Sequence, residues 1–113
     1  MLNSPVIVKT FDLIAWLMPR TQKFPKSQRF VMAKRVEDSA LDVYAHLIAA
    51  SKRKGAARVA ALADADVELE KLRAFVRLCR EFQLLNLKQH EHIARQLSEV
   101  GNLLGAWIKK PDA

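Results

Sequence analysis

Apolar residues recur along this chain at spacings of three and four, and nowhere alternate with period two, so the pattern predicts helices throughout. The first helix is expected over about residues 5–18. Ser4 stands as its cap, Pro5 sits in its first turn, and Pro19 stops it, because proline is not accommodated in a helix interior. A short basic linker leads to Pro25, a second first-turn proline, and a helix over about residues 26–51. Its face is Met32, Val36, Ala40, Val43 and Leu47, flanked by Leu41, Tyr44 and Ile48. Lys52, Arg53, Lys54 and Gly55 combine charge with a glycine stop signal. A third helix follows over about 57–85, with Leu62, Leu69, Leu72, Val76, Cys79 and Phe82 directed inward. A fourth runs over about 88–110 and is closed by Pro111. Four helices joined by short loops predict an all-α, up-down-up-down four-helix bundle, a single domain over residues 1–113.

The fourth helix carries an oddity. Gly101 and Gly105 lie in its interior, where each costs about 1 kcal/mol relative to alanine. Beside its apolar stripe of Ile93, Leu97, Val100, Leu104 and Trp107 runs a row of small residues, Ala94, Ser98, Gly101 and Gly105. Small residues in a row admit a second backbone. The row fits either an interface with another subunit or close packing inside one bundle, and the sequence weighs these evenly.

Composition narrows the class. The 113 residues make one domain, and half of them are hydrophobic, which is enough for one core. The lone Cys79 excludes a disulfide framework and points to a reducing compartment; in an apolar helical run it reads as a small core residue. The apolar stretch from Val6 to Met18 is broken by Lys9 and Asp12, is too short to span a bilayer and is followed by no small-residue cleavage site. No membrane association and a cytoplasmic location are expected.

Charge changes the picture more. Between Arg20 and Arg35 stand six basic residues (Arg20, Lys23, Lys26, Arg29, Lys34, Arg35) and no acidic one, and Lys52, Arg53, Lys54 and Arg58 add four. These exceed the whole net charge of +7, so the excess is local. In the third helix Arg73, Arg77 and Arg80 share a face, which Asp66 and Glu70 continue, and Glu70 is spaced to pair with Arg73. A charged helix face is commonly no more than a solvated one, and for the arginine row that reading stands level with a binding role. The uncompensated run from Arg20 to Arg35 favours a polyanion footprint. No helix-turn-helix or zinc spacing reads a sequence, and few aromatics look exposed for stacking bases.

Catalytic constellations are wanting. A di-iron bundle needs Glu-x-x-His motifs, and none of Glu37, Glu68, Glu70, Glu81, Glu91 or Glu99 has histidine three residues on. His90 and His92 point to different faces; Asp42 and His46 are spaced to pair or to hold a weak ion, and such a lone pair is more often a surface hydrogen bond. No phosphate-cradling loop and no activated nucleophile is seen. Neither enzymatic activity, cofactor nor metal is expected.

Four blocks carry a resemblance. They are Lys23-Phe24-Pro25-Lys26-Ser27-x-Arg29-Phe30, then Arg35-Val36-Glu37-Asp38-Ser39-Ala40-Leu41-Asp42. Leu69-Glu70-Lys71-Leu72-Arg73 with Arg77-Leu78 comes third, and Glu99-Val100-Gly101-x-Leu103-Leu104-Gly105-x-Trp107-Ile108-Lys109 last. In this order, over nearly the whole chain, they resemble the accessory variability determinant proteins of diversity-generating retroelements. That four-helix-bundle family also includes proteins encoded in intervening sequences of bacterial 23S rRNA genes. The terminal block is the most specific. It departs from the family where many relatives carry arginine, having Asn102, and Ala106 replaces a common third glycine, so no binding role is carried onto position 102.

The resemblance implies a homopentameric ring with a basic surface that binds reverse transcriptase and nucleic acid, RNA and also DNA, in support of mutagenic cDNA synthesis. The residues expected to contact polyanion or polymerase are Lys26, Arg29, Lys34, Arg35, Arg73, Arg77 and Arg80; those expected at the oligomer interface are Ala94, Ser98, Gly101 and Gly105. The alternative is a generic protein-interaction scaffold whose basic surface meets an acidic partner.

Overall fold

Helix α1 (Pro5–Thr21) buries Val6, Ile7, Thr10, Leu13 and Leu17, positions three and four apart, so one stripe faces the core and the rest faces water. The structure, a computed structural model, describes residues 4–112. Ser4 is placed as the cap of α1, but its side chain makes no capping hydrogen bond. Pro19 does not stop the helix, contrary to the sequence expectation. It lies in the last turn, so only one N–H is lost. Arg20 Nη1 donates to Trp16 O at 2.9 Å, Gln22 N donates to Met18 O at 3.1 Å, and buried Thr21 donates from Oγ1 to Glu37 Oε2 at 2.5 Å. The final turn is therefore pinned to the next helix.

Helix α2 (residues 26–52) is one rod in three parts. A first turn, Lys26–Gln28, leads into a π-helical segment, Arg29–Ala33, and then into regular α-helix, Lys34–Lys52. The π segment has no counterpart in the hydrophobic pattern. Met32, Val36, Ala40, Val43 and Leu47 are buried as expected. Helix α3 (Gly55–Glu81) begins on Gly55, which has φ +58°; the glycine therefore opens this helix rather than closing the one before it.

The end of α3 corrects a second expectation. The helix stops at Glu81, and Phe82 is 55% exposed instead of inward. Gln83 takes a left-handed φ of 61°, and Leu84 N reaches back to Cys79 O at 2.8 Å, the six-to-one bond of a Schellman-type stop. That turn swings Leu85 into the core in place of Phe82. Helix α4 (Leu87–Lys109) then starts with a full capping box between Asn86 and Gln89.

α1 packs against α2 and α4, and α3 against α2 and α4, with α2–α3 the most extensive pair. This is an all-helical four-helix bundle, 43 Å long and 20–24 Å across. The core includes Ile7, Leu13, Leu17, Val43, Leu47, Leu62, Leu72, Val76, Ile93 and Leu104. None of the helices is long and apolar enough to cross a membrane, among the described residues.

Candidate functional site

An antiparallel bundle gathers sequence-distant segments at its two ends. The linker after α1 and the loop after α3 meet at one pole, where Arg20, Lys23, Phe24 and Pro25 share a hollow with Gln83, Leu84, Leu85 and Gln89. The basic run from Arg20 to Arg35 and the later part of the α3 arginine row therefore lie in the same half of the molecule. The second basic group, Lys52, Arg53, Lys54 and Arg58, lies at the opposite pole.

The candidate cations differ in what they already touch. Lys26, Arg29 and Arg35 are exposed, and no ion pair involves them among the described residues. Lys34 Nζ is bound to Asp38 Oδ2 at 2.9 Å one turn on, an exposed pair of little energetic worth. Arg80 Nη1 reaches Leu85 O at 3.4 Å and so helps close the α3–α4 turn. Arg73 is half-buried. Its Nη2 faces Leu97 O at 3.4 Å on α4, and Nη1 lies 3.7 Å from Glu70 Oε2, the pair that the spacing anticipated. Arg77 is exposed beside it.

The structure brings the arginine row and the small-residue row together. Arg73 and Arg77 from α3 border a groove with His90, Ala94, Leu97 and Ser98 from α4, over Val76, enclosing about 250 Å³. A Cβ added at Gly101 would fall on the Arg73 guanidinium. Gly101 thus has an account inside one subunit: it lets the arginine lie flat on the next helix. Gly105 has none, since a Cβ there would meet nothing within 4 Å. His90 lines this groove while His92 stacks on Trp16 with ring centroids 4.5 Å apart, so the two histidines do face different ways.

The far pole has another use for its cations. Arg58 Nε donates to Ala50 O and its Nη1 to Pro111 O, both at 2.9 Å, with the guanidinium near the Trp107 ring. Arg58 therefore ties α2, α3 and the C-terminal turn together, and its contribution to the basic count is structural. Cys79 is fully buried, and burial raises its thiol from 9.0 to about 11, so it stays protonated and unreactive at neutral pH. Among the described residues no three His, Cys, Asp or Glu side chains converge on a possible metal position.

Two surface features escaped the sequence reading. Aromatic side chains are exposed after all: Phe30 is 82% accessible, Phe11 58% and Phe82 55%. Phe30 sits in the π segment, whose displacement of the helical register no hydrophobic count reveals. On α3, the exposed small and apolar residues Ala56, Ala60, Ala63, Val67, Ala74 and Leu78 form a stripe on the outer face. Their spacing of three, four and seven was legible, but a second apolar stripe is hidden when the first already satisfies the core pattern.

The model of the bAvd-like family matches residues 6–111. The chain belongs to the bAvd-like family. The sequence resemblance to accessory variability determinant proteins is thereby met over almost the full length. Among solved structures, this family member is similar to a Bacteroides thetaiotaomicron VPI-5482 protein of unknown function from the S23 ribosomal protein family. The TM-score is 0.87 at 21% identity, over 97% of this chain and 100% of that one. At that identity the likeness shows a shared fold alone. No curated protein matches the chain.

Proposed function

We propose that this protein is a non-enzymatic accessory component of a diversity-generating retroelement, binding reverse transcriptase and nucleic acid through its basic half. The observation that carries this reading is that the Lys26–Arg35 cations lie in the same lengthwise half of the bundle as Arg73 and Arg77, within a bAvd-like chain. Phosphate groups are drawn to such a cluster by long-range attraction and held by release of condensed counterions. The small residues Ala94 and Ser98 keep the groove between Arg73 and Arg77 open to a phosphate oxygen. The protein's part is positioning, and the polymerase supplies the chemistry.

A homopentameric ring belongs to the same reading. Support comes from Gly105, unexplained within one subunit, and from the outer stripe of α3, which is apolar along most of its length. These are the places where a neighbouring copy would approach.

The test is fluorescence anisotropy with a structured RNA at roughly 50 and 200 mM salt. Neutralising about six phosphates weakens binding roughly a thousandfold over that range. The double variant Arg73→Glu/Arg77→Glu is expected to keep its helical circular dichroism and lose binding. Unchanged binding by the folded variant removes these arginines from the site. Absence of RNA binding by the wild type at low salt transfers the basic surface to a protein partner.

A further inference from the structure

The π segment Arg29–Ala33 does more than interrupt α2. A π turn widens the helix by a residue and re-aims the side chains it contains, and such turns are frequent at functional sites. Here it holds Phe30 away from the bundle, the most exposed of the large hydrophobic side chains among the described residues at 82%, with Val31 beside it at 54%. Phe30 has no place in the core. Next to it lies a shallow hollow of about 470 Å³, lined by Thr21, Gln22, Arg29, Phe30, Ala33 and Glu37.

The chemistry of that lining is specific. Phe30 offers a flat apolar wall. Arg29 is a cation with no ion-pair partner among the described residues, and Lys26, Lys34 and Arg35 surround it in sequence. Glu37 is fixed rather than floppy, because Oε2 accepts the hydroxyl of buried Thr21 at 2.5 Å. Its Oε1 has no hydrogen-bond donor among the described residues and remains available as an acceptor. A planar wall, a phosphate-seeking arginine and an oriented carboxylate are what an unpaired nucleobase and its backbone require: stacking, charge and an edge contact.

We propose that the hollow beside Phe30 takes one unpaired base of a single-stranded nucleic acid, with guanine preferred. This rests on the nucleic-acid reading above and refines it to a strand state and a base. Phe30 stacks on the base, Arg29 meets the flanking phosphate, and Glu37 accepts from the base edge. Guanine is favoured because N1–H and the N2 amino group are adjacent donors on one edge, one for Oε1 and one for the lone pair of Oε2 that Thr21 leaves unused. Adenine and cytosine instead place a ring-nitrogen acceptor beside their amino group, facing the carboxylate, and uracil offers one donor. A paired duplex cannot enter, since its bases are stacked and their edges occupied.

The experiment uses the full chain and three labelled probes: an all-uridine 12-mer, the same strand with one central guanosine, and a 12-base-pair RNA duplex. Wild type is expected to bind the guanosine strand most tightly. Phe30→Ala should weaken both single strands by at least about fivefold while leaving the duplex unchanged, and Phe30→Trp should restore the loss. Glu37→Gln, which can still accept from Thr21, should remove the preference for guanosine over uridine, while the lost negative charge raises the affinity for all three probes alike. A Phe30→Ala variant that binds strands and duplex as wild type does, or weakens all three equally, overturns the base site and leaves the basic surface standing. Wild type that binds none of the probes at low salt overturns the nucleic-acid reading itself. Phe30 is surface-exposed, so a thermal melt of the alanine variant is expected to match wild type and verifies that the loss is one of contact.

Discussion

Arg73 lies across the backbone of Gly101, its guanidinium occupying the space where a side chain at that position would begin. The flat packing of an arginine from α3 on a glycine of α4 links two features that sequence alone kept apart: a charged row and a row of small residues. It also separates the two glycines, because only Gly101 has such a neighbour.

Substituting alanine at these glycines should therefore have different consequences. At Gly101 the obstructing atom is the far end of a flexible side chain, so Gly101→Ala keeps its fold, and helix propensity of up to about 1 kcal/mol offsets the displacement of Arg73. RNA affinity falls as it does in Arg73→Ala. Gly105→Ala meets nothing within the subunit and should gain about 1 kcal/mol in urea denaturation, while its sedimentation shifts toward monomer. Unaltered sedimentation takes Gly105 out of the proposed ring contact.

Arg58 is expected to behave as a clamp, not as part of a binding surface. Its side chain is 18% exposed and donates to Ala50 O and Pro111 O. Arg58→Met should cost about 2–3 kcal/mol, given about 1.5–3 kcal/mol for a hydrogen bond to a charged group. Lys54→Ala, an exposed neighbour at the same pole, should stay within about 0.5 kcal/mol. Equal effects in urea melts would remove the clamp.

The turn after α3 supplies a contrast between two apolar residues three positions apart. Phe82 is more than half exposed and Leu85 is 2% exposed. Phe82→Ser should leave stability within about 0.5 kcal/mol, while Leu85→Ala should cost about 2–5 kcal/mol through the cavity it leaves. Thermal melts of the two variants decide whether the chain re-enters the core at Leu85.

Cys79 sets an alkaline limit. Burial raises its thiol to about 11 from 9.0, so the folded protein holds this proton after the unfolded chain has released it. Its contribution is fully present below pH 9 and lost as the pH rises through 11, at a slope of about 1.4 kcal/mol per pH unit between them. Urea denaturation from pH 8 to 11 should show this decline in wild type, and Cys79→Ala should show a shallower one. The native thiol should also resist alkylation at pH 8 until denaturant is added; rapid labelling of the folded protein would contradict its burial.

Much of the architecture was legible because helix burial repeats with the helix period. Val36, Ala40, Val43 and Leu47, or Ile93, Leu97, Val100 and Leu104, declare their inner faces through spacing alone. The errors fall where another rule prevails. Proline reads as a terminator, but Pro19 comes so near the end of α1 that the Thr21–Glu37 bond and core contacts carry the last turn. Phe82 fits the helical period of α3, yet Gln83 takes the left-handed turn that ends the helix, a conformation usually marked by glycine. The π segment leaves no trace in a pattern built on regular turns.

The sequence by itself determined the number of helices, most of their inner faces, the four-helix-bundle class and the location of the excess charge along the chain, because each depends on residues close in sequence. Tertiary structure alone decided which charges are available: Arg58 and Arg80 are engaged with carbonyl groups, Arg73 rests on Gly101, and Arg29 shares a hollow with Thr21 at the end of α1. Those relationships join residues on different helices or across an irregular turn, and they follow from how the rods pack, which no local periodicity encodes.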